Sequence, residues 1–261
     1  MRRRLDAELV RRGLVTSRAR AVEAIGAGRV LVSHGPATTP ARLVDAGEAI
    51  TVLPPRDEYV SRGGKKLAIG LDKFGVDPNG RYAVDVGAST GGFTDCLLQR
   101  GAARVVAIDV GRGQLAWSLR QDPRVTVLER TNVRDLHTLD PPADLCVADL
   151  SFISLRTIAP NLLELTTATA DFVLLVKPQF EAGRERVGRG GIVRDPEVHL
   201  DVLRDVVAGL GEAGLGVSGV VPSPLRGADG NVEFLAHGRR GPATVLDATL
   251  AAAVQQAQDA A

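Results

Sequence analysis

The stretch from Tyr82 to Asp109, YAVDVGASTGGFTDCLLQRGAARVVAID, limits what this chain can become. A short apolar run (Ala83, Val84, Val86) ends in a glycine-rich turn, Gly87 to Gly92. A helical pattern follows, with Phe93, Cys96, Leu97 and Leu98 on one face. A second apolar run, Val105 to Ile108, stops at Asp109. Strand, glycine turn, helix, strand and acid in this order predict a nucleotide-binding βαβ unit. Gly87, Gly91 and Gly92 let the backbone around Ala88, Ser89 and Phe93 approach a ligand, because no Cβ stands in the way. Asp109, 22 positions after Gly87, is placed to accept hydrogen bonds from ribose hydroxyls.

The spacing is G-x-x-x-G-G, whereas a dinucleotide site reads G-x-G-x-x-G. Asp85 lies just before the first glycine, where a carboxylate would repel a pyrophosphate and attract a cation. S-Adenosylmethionine, with a sulfonium, an ammonium and no phosphate, is therefore the expected cofactor, with NAD as the alternative.

The rest of residues 59–240 continues the same alternation. A helix opens at Ser61-Arg-Gly-Gly-Lys-Lys66 and runs to Phe74. Beyond the βαβ unit come a helix (Gln114 to Arg120) and strands at Val125–Leu128, Ala143–Asp149 and Asp171–Lys177. A long helix, Pro196 to Ala213, precedes strands at Gly216–Val221 and Asn231–Ala236. This pattern predicts an α/β, doubly wound, Rossmann-like sheet with an antiparallel edge strand. Residues 241–261 read as a C-terminal helix or tail. Ligands bind such sheets at the C-terminal ends of the strands. The charged residues there are Asp85, Asp109, Asp149 and Lys177, with Glu233 in the last strand. A charge closing an apolar run is costly unless it is paired or working.

Residues 1–58 form a separate small α+β module. Leu5, Leu9 and Val10 give one helix, and Ser17 caps a second whose inner face is Ala21, Val22 and Ile25. Strands follow at Arg29–Val32 and Ala49–Leu53, and Pro54-Pro55 mark the boundary. Net charge over the whole chain is only +1, but the first thirty residues carry eight arginines against Asp6, Glu8 and Glu23. Such a patch favours a polyanion. Arg4, Arg11, Arg12, Arg18 and Arg20 are the candidate phosphate contacts to such a polyanion, of the kind that position a nucleic acid without reading its sequence.

Composition narrows the classes further. Two cysteines sit inside apolar patterns and four histidines are scattered, so neither a disulfide framework nor a metal site is expected. The longest stretch free of Lys, Arg, Asp and Glu is the thirteen residues Ala213–Leu225, short of the roughly 18 that span a bilayer. A cytoplasmic protein without a membrane partner is expected.

Four segments, DVGASTGGF (85–93), ADLSFISL (148–155), LVKPQFE (175–181) and SPLRGADGNVEF (223–234), resemble the TlyA family. Residues 4–14, 17–32 and 46–52 resemble the small RNA-binding domain of a small-subunit ribosomal protein, pseudouridine synthases and tyrosyl-tRNA synthetases. TlyA proteins are known both as hemolysins and as ribose 2′-O-methyltransferases of ribosomal RNA, with a catalytic domain similar to the FtsJ RNA methyltransferases. The resemblance implies a Lys-Asp-Lys-Glu tetrad at Lys66, Asp149, Lys177 and Glu233, with Lys65 as the alternative first lysine. It implies Lys177 as general base, Asp149 holding it beside the methyl group, and Lys66 and Glu233 orienting the ribose. It also implies cytidines of both subunit RNAs as substrates and a link to capreomycin and viomycin susceptibility. Two departures stand out: Thr90 replaces the proline usual in the FtsJ turn, and the linker Asp57-Glu-Tyr-Val60 lacks the Arg and Trp of some relatives. The rival readings are a pore-forming hemolysin, an NAD(P) oxidoreductase, and a non-catalytic RNA-binding assembly factor.

Overall fold

The computed structural model describes residues 2–53 and 59–259. The chain divides into two compact units, Met1–Asp57 and Glu58–Ala261. The Pro54-Pro55 boundary and the linker positions Asp57 and Glu58 lie outside the described residues.

In the first unit, helices Leu5–Arg11 and Arg18–Gly26 precede a three-stranded sheet with Val30–Val32 between Gly35–Pro36 and Ile50–Val52. Arg3–Arg4 pairs with Leu43–Val44. The Ser17 side chain caps the second helix by accepting from the Arg20 N–H. The core is Leu5, Leu9, Ala21, Ala24, Ile25 and the inward strand residues. Val22, expected inside, is exposed, and Ala24 takes its place. At 100° per residue, positions 21, 24 and 25 share a face that 22 leaves.

The second unit is a three-layer α/β/α sandwich. In chain order it contains α1 (Gly63–Phe74), β1 (Tyr82–Val86), α2 (Gly92–Gln99), β2 (Arg104–Asp109), α3 (Trp117–Arg120), β3 (Val125–Glu129) and β4 (Ala143–Ala148). Then follow α4 (Leu155–Glu164), β5 (Thr166–Val176), α5 (Pro178–Glu181), α6 (Pro196–Glu212), β6 (Leu215–Pro222), β7 (Phe234–Arg240) and α7 (Asp247–Asp259). The sheet order is β6-β7-β5-β4-β1-β2-β3. All neighbours among the last five run parallel, and β7 is antiparallel to both β5 and β6. One apolar layer packs α4, α6 and α7 on the sheet, and the other packs α1 and α2. The alternating side chains of β1, β4 and β5 divide between the two layers, so these strands are apolar on both faces.

The structure corrects two expectations and decides a third. The helix expected over 114–120 is helical only at Trp117–Arg120, because Gln114 is drawn into the turn around Gly111. The last strand begins at Phe234, so Glu233 stands in the loop just before it. That loop is closed by bonds from Gly227 N–H to the Asn231 carbonyl and from Ser223 N–H to the Glu233 carbonyl. Of the two readings of 241–261, helix or tail, the structure has the helix α7, with Leu250, Ala253, Val254 and Ala257 buried in the core. Helix α4, which no sequence pattern announced, carries Pro160 in its interior, a residue that breaks most helices. Buried Leu155, Ile158, Ala159, Leu162 and Leu163 offset that cost.

Candidate active site

The parallel strands deliver their C-terminal ends to one edge of the sheet. The β1–α2 turn there shows why glycine recurs. Gly87 has φ +85°, and a Cβ on it would stand 2.4 Å from the Asp149 carbonyl oxygen. A Cβ on Gly92 would stand 2.2 Å from Ser61 Oγ and 2.9 Å from Gly64 N. Both glycines are required by the protein's own chain. Gly91, with φ +98°, faces Leu115 and Leu119 instead.

Two adjoining cavities open at this edge, each in the size range of small-molecule sites. The first, about 330 Å³, is lined by the backbone of Gly87, Ala88, Ser89 and Gly92 and by Phe93, and by Lys66, Asp149, Lys177 and Glu233. The second, about 500 Å³, has Asp109, Asn132, Val133, Leu150 and Phe152 in its wall. Gly87, Ser89, Asp149 and Ser151 belong to both.

Two close ion pairs occupy the first cavity. Lys177 Nζ is 2.5 Å from Asp149 Oδ1, an ionic contact outside hydrogen-bond angles, and it donates to Ser151 Oγ at 3.2 Å. Lys66 Nζ donates to Glu233 Oε2 at 2.5 Å. Glu233 is 3% exposed. Burial pushes its carboxyl up, against the pull of Lys66. Lys65 is exposed on the other side of α1, so Lys66 is the lysine that faces the cavity. Ser151 escaped the sequence reading although it lies within ADLSFISL, because a serine there carries no pattern of its own.

The other expected residues fall in instructive places. Both Asp109 carboxylate oxygens are already in use: Oδ2 accepts from Ser89 N–H at 2.8 Å and Oδ1 from Gly111 N–H at 2.6 Å. Asp109 therefore holds the turn, with lone pairs left for a diol. Asp85, expected to touch the cofactor, is fully buried beneath the turn and lines neither cavity. Its Oδ2 accepts from Thr94 Oγ1 at 2.6 Å, while Oδ1 has no partner. Burial raises its carboxyl to about 7, with the nearby charges of Asp149 and Asp109 acting in the same direction and Thr94 opposing.

In the N-terminal unit every candidate arginine meets an acid. Arg4 and Arg18 share Asp6, at 2.9 and 3.2 Å, and Arg11 and Arg12 share Glu8, at 2.6 and 2.8 Å. Arg20 pairs with Glu23 at 2.8 Å. The Arg4 hydrogen bond holds the Asp6 carboxyl down at about 2, with Arg18 contributing less, and those of Arg11 and Arg12 do the same for Glu8. Arg12 also donates to the Glu48, Asp45 and Ala46 carbonyls and is only 20% exposed in its side chain, which makes it a brace. Arg18 and Arg20 remain 61% and 67% exposed.

Comparison with known proteins agrees with this architecture. Residues 59–240 match the FtsJ-like methyltransferase family and residues 3–50 match the S4 domain. A protein of Mycobacterium tuberculosis named 16S/23S rRNA (cytidine-2′-O)-methyltransferase TlyA is 52% identical over 236 residues, covering 89% of this chain and 88% of its own. The chain belongs to the TlyA family of FtsJ-like methyltransferases. Hemolysin A of Brachyspira hyodysenteriae is 39% identical, covering 90% of this TlyA-family chain and 98% of its own. A solved structure from Streptococcus thermophilus, also named as a hemolysin, superposes with a TM-score of 0.76 at 38% identity. It covers 99% of this chain and 96% of that one. Among the described residues no helix is long and apolar enough to cross a membrane.

Proposed function

We propose that this chain transfers a methyl group from S-adenosylmethionine to the ribose 2′-hydroxyl of cytidine in small- and large-subunit ribosomal RNA, with Lys177 as general base. The observation that carries the reading is the Lys177–Asp149 pair, at 2.5 Å, on the wall between two cavities, one polar and one bounded by Asp109. The residues suit a cationic cofactor. Asp109 and Asp149 line the cavities, and beneath the turn between them Asp85 holds a buried oxygen without a partner. Gly87, Ala88, Ser89 and Gly92 would hold its amino-acid end, and Asp109, Asn132 and Val133 its nucleoside.

Bound S-adenosylmethionine supplies a methyl group on positively charged sulfur, open to in-line displacement. A ribose hydroxyl is a weak nucleophile until its proton leaves. Lys177 Nζ, once its own proton has left, takes that proton as the oxygen bonds the methyl carbon and the carbon–sulfur bond breaks, a step contributing roughly 10²–10⁴-fold. Asp149 and Ser151 fix Nζ from two sides. Lys66 and Glu233 offer a donor and an acceptor side by side, the pair that a ribose diol can bridge. The exposed arginines of the S4 unit bring phosphates.

The test incubates the protein with radiolabelled S-adenosylmethionine and unmodified ribosomal subunits and maps the labelled nucleotide. Label at a cytidine 2′-oxygen is expected, and Lys177→Ala should reduce it at least about 10²-fold while cofactor affinity by calorimetry stays within a few fold. Absence of transfer to any ribosomal substrate would overturn the reading. Full activity in Lys177→Ala would overturn the role of the base.

A further inference from the structure

Lys177 belongs to the segment LVKPQFE, whose last residue has no part in the chemistry above. Glu181 closes the short helix α5 and is 5% exposed. Its Oε2 accepts from Ser154 Oγ at 2.5 Å, and its Oε1 accepts from the Leu155 N–H at 2.8 Å. Arg156 returns the contact by donating to the Glu181 carbonyl at 3.3 Å. Ser154 and Leu155 are the N-cap and first residue of α4. One carboxylate thus grips the start of one helix from the end of another.

What the grip spans is the reacting pair. The loop from Asp149 to Ser154 carries Asp149 and Ser151, and the segment from Lys177 to Glu181 carries Lys177. Lys177 reaches across to both residues of the other loop. That loop holds Phe152 at φ +66°, a conformation that costs an ordinary side chain free energy and needs outside support. Support comes from the Phe152–Phe180 ring contact, with centroids 5.0 Å apart, and from Glu181.

We infer that Glu181 is a positioning residue for methyl transfer, clamping the β4 and β5 loops together so that Lys177 Nζ stays against Asp149 and Ser151. The inference rests on Lys177 being the general base. A carboxylate suits the task because Ser154 and Leu155 donate to its two oxygens and Arg156 Nε stands 3.5 Å from Oε2. Glutamine can keep the clamp if the Ser154 hydroxyl turns to accept from the amide. Alanine cannot keep it.

The experiment measures kcat and KM for both substrates in Glu181→Ala, Glu181→Gln, Ser154→Ala and the double alanine variant, with Lys177→Ala in parallel. Cofactor affinity by calorimetry and near-ultraviolet circular dichroism check each fold. Glu181→Ala should lower kcat about 10–100-fold, as expected for lost alignment, with both KM values within about 2-fold. Glu181→Gln should recover kcat to within about 5-fold of the parent. Ser154→Ala should lower kcat with KM unchanged, and the double variant should be no slower than Glu181→Ala, as for residues acting through one contact. Should Glu181→Ala fail to fold, Ser154→Ala and Glu181→Gln still decide. The inference is overturned if folded Glu181→Ala turns over within about 2-fold of the parent, or if the single losses multiply. It is also overturned if the alanine and glutamine variants share one kcat and differ only in melting temperature. An inactive Lys177→Ala beside an unaffected Glu181→Ala removes the clamp and leaves the base standing. An active Lys177→Ala removes both.

Discussion

At the scale of single residues, Asp85 shows how an inference about a ligand can rest on a misplaced contact. The sequence places an acid before the glycine turn and so points to a cationic ligand. The structure puts that acid under the turn, sealed from both cavities. No residue pattern distinguishes a carboxylate at a strand end from one a single pleat deeper, since both close the same apolar run. Burial holds Asp85 up at about 7, against 3.8 for the free group. Between those values the folded protein keeps a proton that the unfolded chain has released, so Asp85 makes stability fall as pH rises through that window. The cofactor-free melting temperature of Asp85→Asn should therefore change less from pH 4.5 to pH 7.5 than that of the parent, measured by calorimetry. Equal slopes would show that Asp85 titrates normally. A cation bound near this carboxyl should also expel its proton. Titrations with S-adenosylmethionine at pH 6 in buffers of different ionisation enthalpy should reveal proton release that Asp85→Asn lacks.

At the scale of elements, the long periodic segments were legible and the interrupted ones were not. Helix α6 and strands β1, β2 and β4 follow from their apolar spacing. Helix α4 was hidden by Pro160, and the first half of β5, Thr166–Ala170, by its run of threonines and alanines. Both are decided by burial, which local pattern does not contain. The arginine-rich helices gave the converse lesson: their charges and the three acids among them were legible, but which arginine each acid holds was not. Asp6 and Glu8 sit near 2 in the folded unit, below their ordinary values of 3.8 and 4.5. The stability they lend is present above about pH 4.5 and drains away as pH falls toward 2. The arginines should separate by experiment. Arg12→Ala should lower the melting temperature of the N-terminal unit, because it removes bonds to three carbonyls. Arg18→Ala with Arg20→Ala should leave melting nearly unchanged and flatten the salt dependence of RNA binding by about 0.7–0.9 log units per phosphate lost. Equal effects of the two changes on binding and melting would remove the distinction between brace and contact.

At the scale of the whole molecule, the candidate site draws on segments scattered through the chain, and the sheet order explains how they meet. The hemolysin names borne by some relatives find no counterpart in a membrane-crossing helix among the described residues. Lysis by purified protein that Lys177→Ala does not reduce would bring that reading back. Asp149 and Lys177 were legible because each follows an apolar strand, whereas Lys66, inside helix α1, and Glu233, just before β7, were given a role only by the family resemblance. The close pairing of Lys66 with Glu233 was not legible, because it depends on β7 entering the sheet antiparallel between β5 and β6.

That insertion sets a schedule for the protein's own birth. Lys66 and Glu233 stand 167 positions apart, and the strand that brings them together is the last of the sheet to leave the ribosome. Contacts of such separation close late, after the loop entropy between them has been overcome. A nascent chain halted before residue 233 already holds the glycine turn, Asp149 and Lys177, yet lacks the partner of Lys66. If that pair orients the ribose as proposed, a chain truncated before residue 233 should bind S-adenosylmethionine and transfer no methyl group. After dilution from denaturant, methyl transfer should return more slowly than far-ultraviolet circular dichroism, and simultaneous recovery would place the closing strand earlier in the sequence of events.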